Sequence, residues 1–359
     1  MKIGIMTFWT SSNNYGQILQ GYALQTYLKT LKHEVFIIRF NSILSQIKES
    51  LITIIKKRQL FNLIKQNRKR DFKSFKKNIT YSDIKYPTYN KLLKYPPEVD
   101  LLITGSDQVW AFMRNKERRN AYLLNFGKGI RKIAYAASFG RDQLKEEEIP
   151  DYQKALNNFE FIGVREESGL NICHNLSLTN AKQVIDPVAL LPDYAWIQLE
   201  QKPTFLNNNK KNIFFYSLSS DIIDPELKKI LYALRNKYNV YYTNSSNDKS
   251  TANCYPTINE WIGYINHSDF IITDSFHCTL MSIILKKQFI TITRHNGENM
   301  NNRLFTLFNL TGLKERYIPV SQEHKILELI DNPPQLQYLD SFKIIIEQSK
   351  AFLNNILQN

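Results

Sequence analysis

Short apolar runs rich in β-branched residues alternate along this chain with longer stretches whose apolar positions recur at helical spacing. Lys2–Phe8 reads as a strand, and Trp9–Gln17 as a polar loop with turn residues Asn13, Asn14 and Gly16. A helix follows with Ile18, Leu19, Tyr22, Ala23, Leu28 and Leu31 on or near one face, and Val35–Phe40 is the next strand. A strand–loop–helix–strand opening predicts a parallel sheet with helical crossovers. The rhythm continues with strands at Asp100–Thr104, Lys132–Ser138, Phe161–Arg165 and Gln183–Leu191, the last interrupted by Pro187.

Between Pro192 and Lys211 the periodicity lapses into a polar, Asn-rich stretch, which predicts a boundary. The reading is an N-terminal domain over 1–191, a linker over 192–211 and a C-terminal domain over 212–359. The second series holds strands at Asn212–Leu218 and Val240–Thr243, with helices near 225–237 and 258–266. It leads into the most informative stretch, Asp269–Arg294: a buried-type strand Phe270–Thr273, caps Asp274 and Ser275, an apolar helix Cys278–Leu285, and a strand Ile290–Thr293. Helices close the chain.

That stretch puts His277 where a strand ends and a helix begins, the junction at which open α/β sheets bind ligands and a helix N-terminus offers N–H groups to an anion. Two readings stand side by side: a buried histidine packing at a turn, or an acid/base or anion-binding group. At the carboxyl end of the strand ending at Thr104, Gly105 permits a sharp turn, and Ser106, Asp107, Gln108 and Trp110 suit sugar hydroxyls and an apolar sugar face. The alternative is that Ser106 and Asp107 cap a helix and Trp110 is core. Arg165, at another strand end, suits a carboxylate or phosphate clamp, or else pairs with Glu166 or Glu167.

Composition narrows the class. With 359 residues and 43% hydrophobic content, the chain supports two ordinary cores. No apolar run reaches membrane-spanning length, and the N-terminus reads as a strand and not a signal peptide. The three cysteines, Cys173, Cys254 and Cys278, are widely spaced, which points to a reducing, cytoplasmic compartment and away from a disulfide framework or metal site. Neither G-x-G-x-x-G nor a P-loop occurs. The net charge of +14 is concentrated. Lys48–Lys77 carries eleven Lys/Arg against two acids, interleaved with Leu60, Phe61, Ile64, Phe72 and Phe75. Its readings are a solvated helical face, a peripheral contact with anionic lipid at the inner membrane face, or nucleic-acid binding; no nucleic-acid motif accompanies the charge.

The chain resembles the polysaccharide pyruvyl transferase family. The resemblance is carried by NNYGQILQGYALQ (Asn13–Gln25), DLLITGSDQVW (Asp100–Trp110), VREES (Val164–Ser168), Asp186–Pro187, and ITDSFHCTLMSIILKKQFITI (Ile272–Ile292). It implies an α/β fold of two Rossmann-like domains facing a cleft, similar to the GT-B arrangement. It also implies transfer of the enolpyruvyl carbons of phosphoenolpyruvate onto a sugar as a cyclic ketal, with phosphoenolpyruvate as co-substrate and no cofactor or metal. The acceptor is a cell-surface polysaccharide or its lipid-linked precursor. Arg165 and His277 match the family's functional Arg and His. Arg165, Ser275 and His277, completed by Arg294 or Arg303 and less readily by Lys286 or Lys287, are the donor-site candidates. Asn14, Tyr15, Gly16, Gly105, Ser106, Asp107, Gln108 and Trp110 form the acceptor-side expectation, with His277 as general acid and Asp107 as the group that orients or deprotonates the hydroxyl. This sequence carries Lys286-Lys287-Gln288 where relatives tend to have Gly and Pro.

A GT-B glycosyltransferase using a nucleotide sugar is the alternative, disfavoured because no carboxylate pair follows the C-terminal strands. A non-enzymatic basic binding protein would leave the strand-end residues of both halves without a role.

Overall fold

The computed structural model describes residues 1–41, 70–111, 115–206, 209–219, 224–245, 251–293 and 302–358. They form two units. Unit 1 contains Met1–Thr10, Leu24–Lys69 and Asn78–Val184, and unit 2 contains Ser11–Ala23, Arg70–Lys77 and Ile185–Asn359. The chain therefore changes unit near Val184 and not at 191, and two short segments from the N-terminal half belong with the C-terminal half. The stretch read as a linker includes a short helix, Asp193–Ile197, within unit 2.

Unit 1 is built on seven parallel strands: β1 (Lys2–Met6), β2 (Glu34–Phe40), β3 (Tyr81–Tyr86), β4 (Leu101–Thr104), β5 (Arg131–Ala137), β6 (Phe161–Val164) and β7 (Ala181–Gln183). Their order is β3-β2-β1-β4-β5-β6-β7. The chain order runs outward in both directions from β1 and β4, so crossovers change direction between those two strands, the place where such sheets open a crevice. Strands β1 and β4 are buried almost throughout, as continuous apolar runs covered on both faces must be. The expected strand over Gln183–Leu191 shrinks to β7. Pro187 has no N–H for a ladder, and Pro187–Leu190 coils instead into a 3₁₀ turn capped by Asp186.

Unit 2 holds five parallel strands: β8 (Asn212–Ser217), β9 (Asn239–Asn244), β10 (Phe270–Thr273), β11 (Phe289–Ile292) and β12 (Tyr317–Ile318), in the order β12-β11-β10-β8-β9. Ile213, Phe215, Ile272 and Ile290 meet Leu227, Leu231 and Ile326 from the helices in its core. Helix Ile258–His267 starts with a reciprocal cap between Thr257 and Glu260. Among the described residues no helix is long and apolar enough to cross a membrane.

The basic stretch Lys48–Lys77 is only partly described, and Lys56, Lys57, Arg58, Arg68 and Lys69 lie outside the described residues. In its last part Lys73 and Lys77 are exposed, as on a solvated helical face. Arg70, Phe72 and Phe75 are buried in unit 2, with the Phe72 ring 4.8 Å from that of Tyr15 and Phe75 5.1 Å from Tyr22. Two aromatic anchors draw this segment inward, and Arg70 follows them.

Candidate functional site

Polar side chains gather at the carboxyl ends of both sheets. In unit 1 they surround the turn after β4. Gly105 has φ +115°, and a Cβ there would lie 2.1 Å from the Tyr135 carbonyl, so only glycine lets β4 turn this close to β5. The next residues fold back over the end of β5. Ser138 N–H donates to Asp107 O at 3.0 Å, and Trp110 N–H to Ser138 O at 3.1 Å. Ser106 is fully buried, and its carbonyl accepts from Thr7 Oγ1 at 3.2 Å. Gln108 is the partly exposed member of the group.

Arg165, just past β6, donates from Nε to Glu166 Oε1 at 2.9 Å, and one of its terminal nitrogens lies 3.8 Å from Asp107 Oδ1. All three side chains are buried. The intramolecular pair that the sequence left open is therefore formed. The guanidinium also reaches Asp107, so two carboxylates already answer one cation. Trp110 is not an open sugar platform. Its ring is buried against Phe139 at 5.0 Å, and Nε1–H donates to Tyr122 O, which makes it core, the reading set against sugar binding.

In unit 2 the organising residue is His277. Helix Phe276–Ile284 begins there because Ser275 Oγ accepts from Cys278 N–H at 3.4 Å. Asp274, expected as a second cap, does something else. Its carboxylate accepts from Ser217 Oγ at 2.9 Å and Leu218 N–H at 2.6 Å, tying the end of β10 to the end of β8.

His277 is itself nearly buried, with two close neighbours. Its Nε2 faces Asp186 Oδ2 at 3.4 Å, while Asp186 Oδ1 caps the following turn by accepting from Val188 N–H at 3.0 Å. On the other side lies Gly16: a Cβ there would fall 2.1 Å from Nδ1 and 2.4 Å from Cγ. The imidazole thus rests against the first turn of helix Tyr15–Thr30 with one nitrogen turned to a fully buried carboxylate. Arg303, at the start of helix Asn302–Thr311, lies near the same place with its guanidinium carbon 6.0 Å from the Phe276 ring centroid.

Several expected site residues land elsewhere. Asn14, Tyr15 and Gly16 belong to unit 2 with His277, not to unit 1 with Asp107. Asn14 Oδ1 accepts from Gln17 N–H at 3.3 Å, capping its helix. Tyr15 is core: it is fully buried, stacked on Trp261 at 5.1 Å, edge-on to Tyr216, and donates to Pro256 O at 2.7 Å. Burial drives its hydroxyl pKa well upward, so it stays neutral. Lys286 and Lys287 follow the C-terminal end of the helix that His277 opens, at the entrance to β11. They lie at the amino ends of the strands, opposite His277, where Lys286 pairs with Asp193 at 3.3 Å. Arg294 is outside the described residues.

Asp186 was not among the expected site residues. Its signal was the Asp-Pro step, which sequence marks as a break in a strand and only the fold brings to His277. Among the described residues no group of acidic, His or Cys side chains could hold a metal.

A family model described as "Polysaccharide pyruvyl transferase" matches residues 14–296, a span that includes Gly16, Asp107, Arg165, Asp186 and His277. No curated protein matches the chain. Among solved structures, UDP-N-acetylglucosamine 2-epimerase from Rickettsia bellii is 10% identical, with a TM-score of 0.57 over 100% of this chain and 96% of that one. The UDP-GlcNAc 2-epimerase from Methanocaldococcus jannaschii is 12% identical, with a TM-score of 0.55 over 100% and 99%. At such identity the likeness is one of fold, an α/β architecture with two parallel sheets. The family match covers most of the sequence, including the residues at the carboxyl ends of both sheets, and the chain belongs to the polysaccharide pyruvyl transferase family.

Proposed function

We propose that this enzyme transfers the pyruvyl group of phosphoenolpyruvate onto a sugar of a cell-surface polysaccharide, or of its lipid-linked precursor, as a cyclic ketal. The observation that carries the reading is the His277 imidazole held between the buried Asp186 carboxylate and Gly16 at the carboxyl end of β10.

His277 delivers a proton to the methylene carbon C3 of the donor, and positive charge develops at C2. Asp186 fixes the orientation of the ring. One sugar hydroxyl forms a bond to C2, the C2–O bond to phosphate breaks, and a second hydroxyl closes the ring. One proton is taken up at C3 and two leave the hydroxyls, with inorganic phosphate as the other product. Ser275, the N–H groups of the helix that it caps, and Arg303 suit the donor's anionic groups. In unit 1, Asp107 takes the hydroxyl proton, and Arg165 holds that carboxylate in place.

The test is mass spectrometry of lipid-linked oligosaccharides incubated with enzyme and phosphoenolpyruvate. The reading expects a product heavier by one ketal-linked pyruvyl group, with inorganic phosphate released in equal amount. Phosphate release without that product would point to a different transfer.

A further inference from the structure

Hydrogen bonds join the ends of β8, β9 and β10 in unit 2 into a continuous frame that closes on His277. Asp274 lies between β10 and the helix that carries His277, and its buried carboxylate accepts from the end of β8. The donors are Ser217 Oγ at 2.9 Å, Leu218 N–H at 2.6 Å and Ser219 N–H at 3.3 Å. Thr273 Oγ1 repeats the tie one residue earlier, donating to Tyr216 O at 2.7 Å and accepting from Ser275 N–H at 3.0 Å. The end of β8 is joined in turn to the residue after β9. Ser245 Oγ donates to Leu218 O at 2.9 Å, and Ser245 N–H donates to Ser217 O at 2.9 Å. Ser245 also holds the N-terminal loop, since its carbonyl accepts from Asn13 Nδ2 at 2.6 Å. Asn13 leads directly into the turn at Gly16, which rests against the His277 imidazole.

The frame therefore reaches His277 from two directions. On one, Asp274 sets the position of Ser275, the cap of the helix that carries the ring. On the other, Asn13 sets the loop that enters helix Tyr15–Thr30, whose first turn backs the ring. Asp274 is the firm corner, because hydrogen bonds to a carboxylate are stronger than those between neutral groups. An amide in its place would turn an NH₂ group toward donors that need an acceptor.

We propose that Asp274 and Asn13 are positioning residues that act through His277, Asp274 by fixing the start of its helix and Asn13 by fixing the turn at Gly16. This gives the N-terminal loop a role beside the donor, in place of the acceptor role that its polar residues suggest. The inference rests on His277 as the proton donor in pyruvyl transfer.

Full-length protein with isotope-labelled histidines is compared by NMR at one pH as wild type, Asp274→Asn and Asn13→Ala. The His277 ring signal is identified by its absence from His277→Gln. Transfer to the lipid-linked acceptor is timed with phosphoenolpyruvate varied, and thermal unfolding is followed. Both substitutions should move the His277 ring signal. Each should lower kcat by about ten- to a hundredfold, with a smaller change in KM, as misplacing a reacting group does. An unmoved ring signal in folded Asp274→Asn overturns the proposal, and a loss of thermal stability beside it leaves Asp274 a structural tie. If Asp274→Asn does not fold, Asn13→Ala decides, and an unmoved ring there is equally fatal. If wild type transfers no pyruvyl group, the reading of the reaction fails, while the ring signal still decides the positioning.

Discussion

Asp186 Oδ2 lies 3.4 Å from His277 Nε2, and the other oxygen of the same carboxylate caps the turn at Val188. One buried side chain therefore fixes both a piece of backbone and the ring proposed to carry the proton. Asp186→Asn keeps the cap, since an amide oxygen still accepts from Val188 N–H, but removes the charge. Turnover should fall by about tenfold or more with the fold intact. Turnover that stays at the wild-type level would reduce Asp186 to a structural cap.

Gly16 gives a test with opposing signs. Within a helix, Gly→Ala normally stabilises by about 1 kcal/mol. Here the added methyl would begin 2.1 Å from His277 Nδ1, a contact that the ring must yield to. Gly16→Ala should cost about 1–3 kcal/mol by overpacking and should depress turnover. Thermal unfolding decides: a stabilised, active Gly16→Ala protein would mean that His277 is free to move.

Much of this was legible in the sequence. Parallel α/β architecture followed from the rhythm of apolar runs, and the junctions at Gly105 and His277 followed from where strands stop and caps begin. What eluded sequence reading depends on long-range packing. Tyr15 and Trp110 sit in polar, ligand-like surroundings along the chain but are drawn into aromatic clusters by residues distant in sequence, Trp261 and Phe139. Arg70 shares a basic run with neighbours suited to water and is buried because Phe72 and Phe75 anchor the segment in unit 2. Asp186 and His277 are far apart along the chain, and no spacing rule joins them.

Trp110 separates a core role from a sugar-binding one. Trp110→Ala should destabilise unit 1 by about 3–5 kcal/mol, as large-to-small core replacements do. Trp110→Phe, which loses the hydrogen bond to Tyr122 O but fills most of the space, should retain acceptor affinity. A stable Trp110→Phe protein with weakened acceptor binding would restore the sugar-platform reading.

Acid stability should depend on Glu148. Burial alone would raise its pKa, but the Arg141 guanidinium, bonded to both carboxylate oxygens at 2.5 and 3.1 Å, outweighs burial and holds it below the ordinary carboxylate value. A depressed folded-state pKa gives stability that is complete above the unfolded value and is lost as pH falls through the folded one. Glu148→Gln should therefore unfold more easily than wild type at neutral pH, by about 1.5–3 kcal/mol, and the gap should close as the solution is acidified. Denaturant midpoints at several pH values check this; a gap independent of pH would contradict it.

The central claim is that the donor is held at the His277 end of unit 2, and its most direct test is calorimetric titration of phosphoenolpyruvate. Four proteins are compared: wild type, His277→Ala, Arg303→Ala, and the double substitution Lys286→Ala/Lys287→Ala, which alters the amino ends of the strands of the same sheet. Wild type should bind. His277→Ala and Arg303→Ala should each lose about 2–5 kcal/mol of affinity, and the lysine pair should bind as wild type does. Failure of the wild type to bind phosphoenolpyruvate would contradict the account. So would unchanged affinity in both His277→Ala and Arg303→Ala.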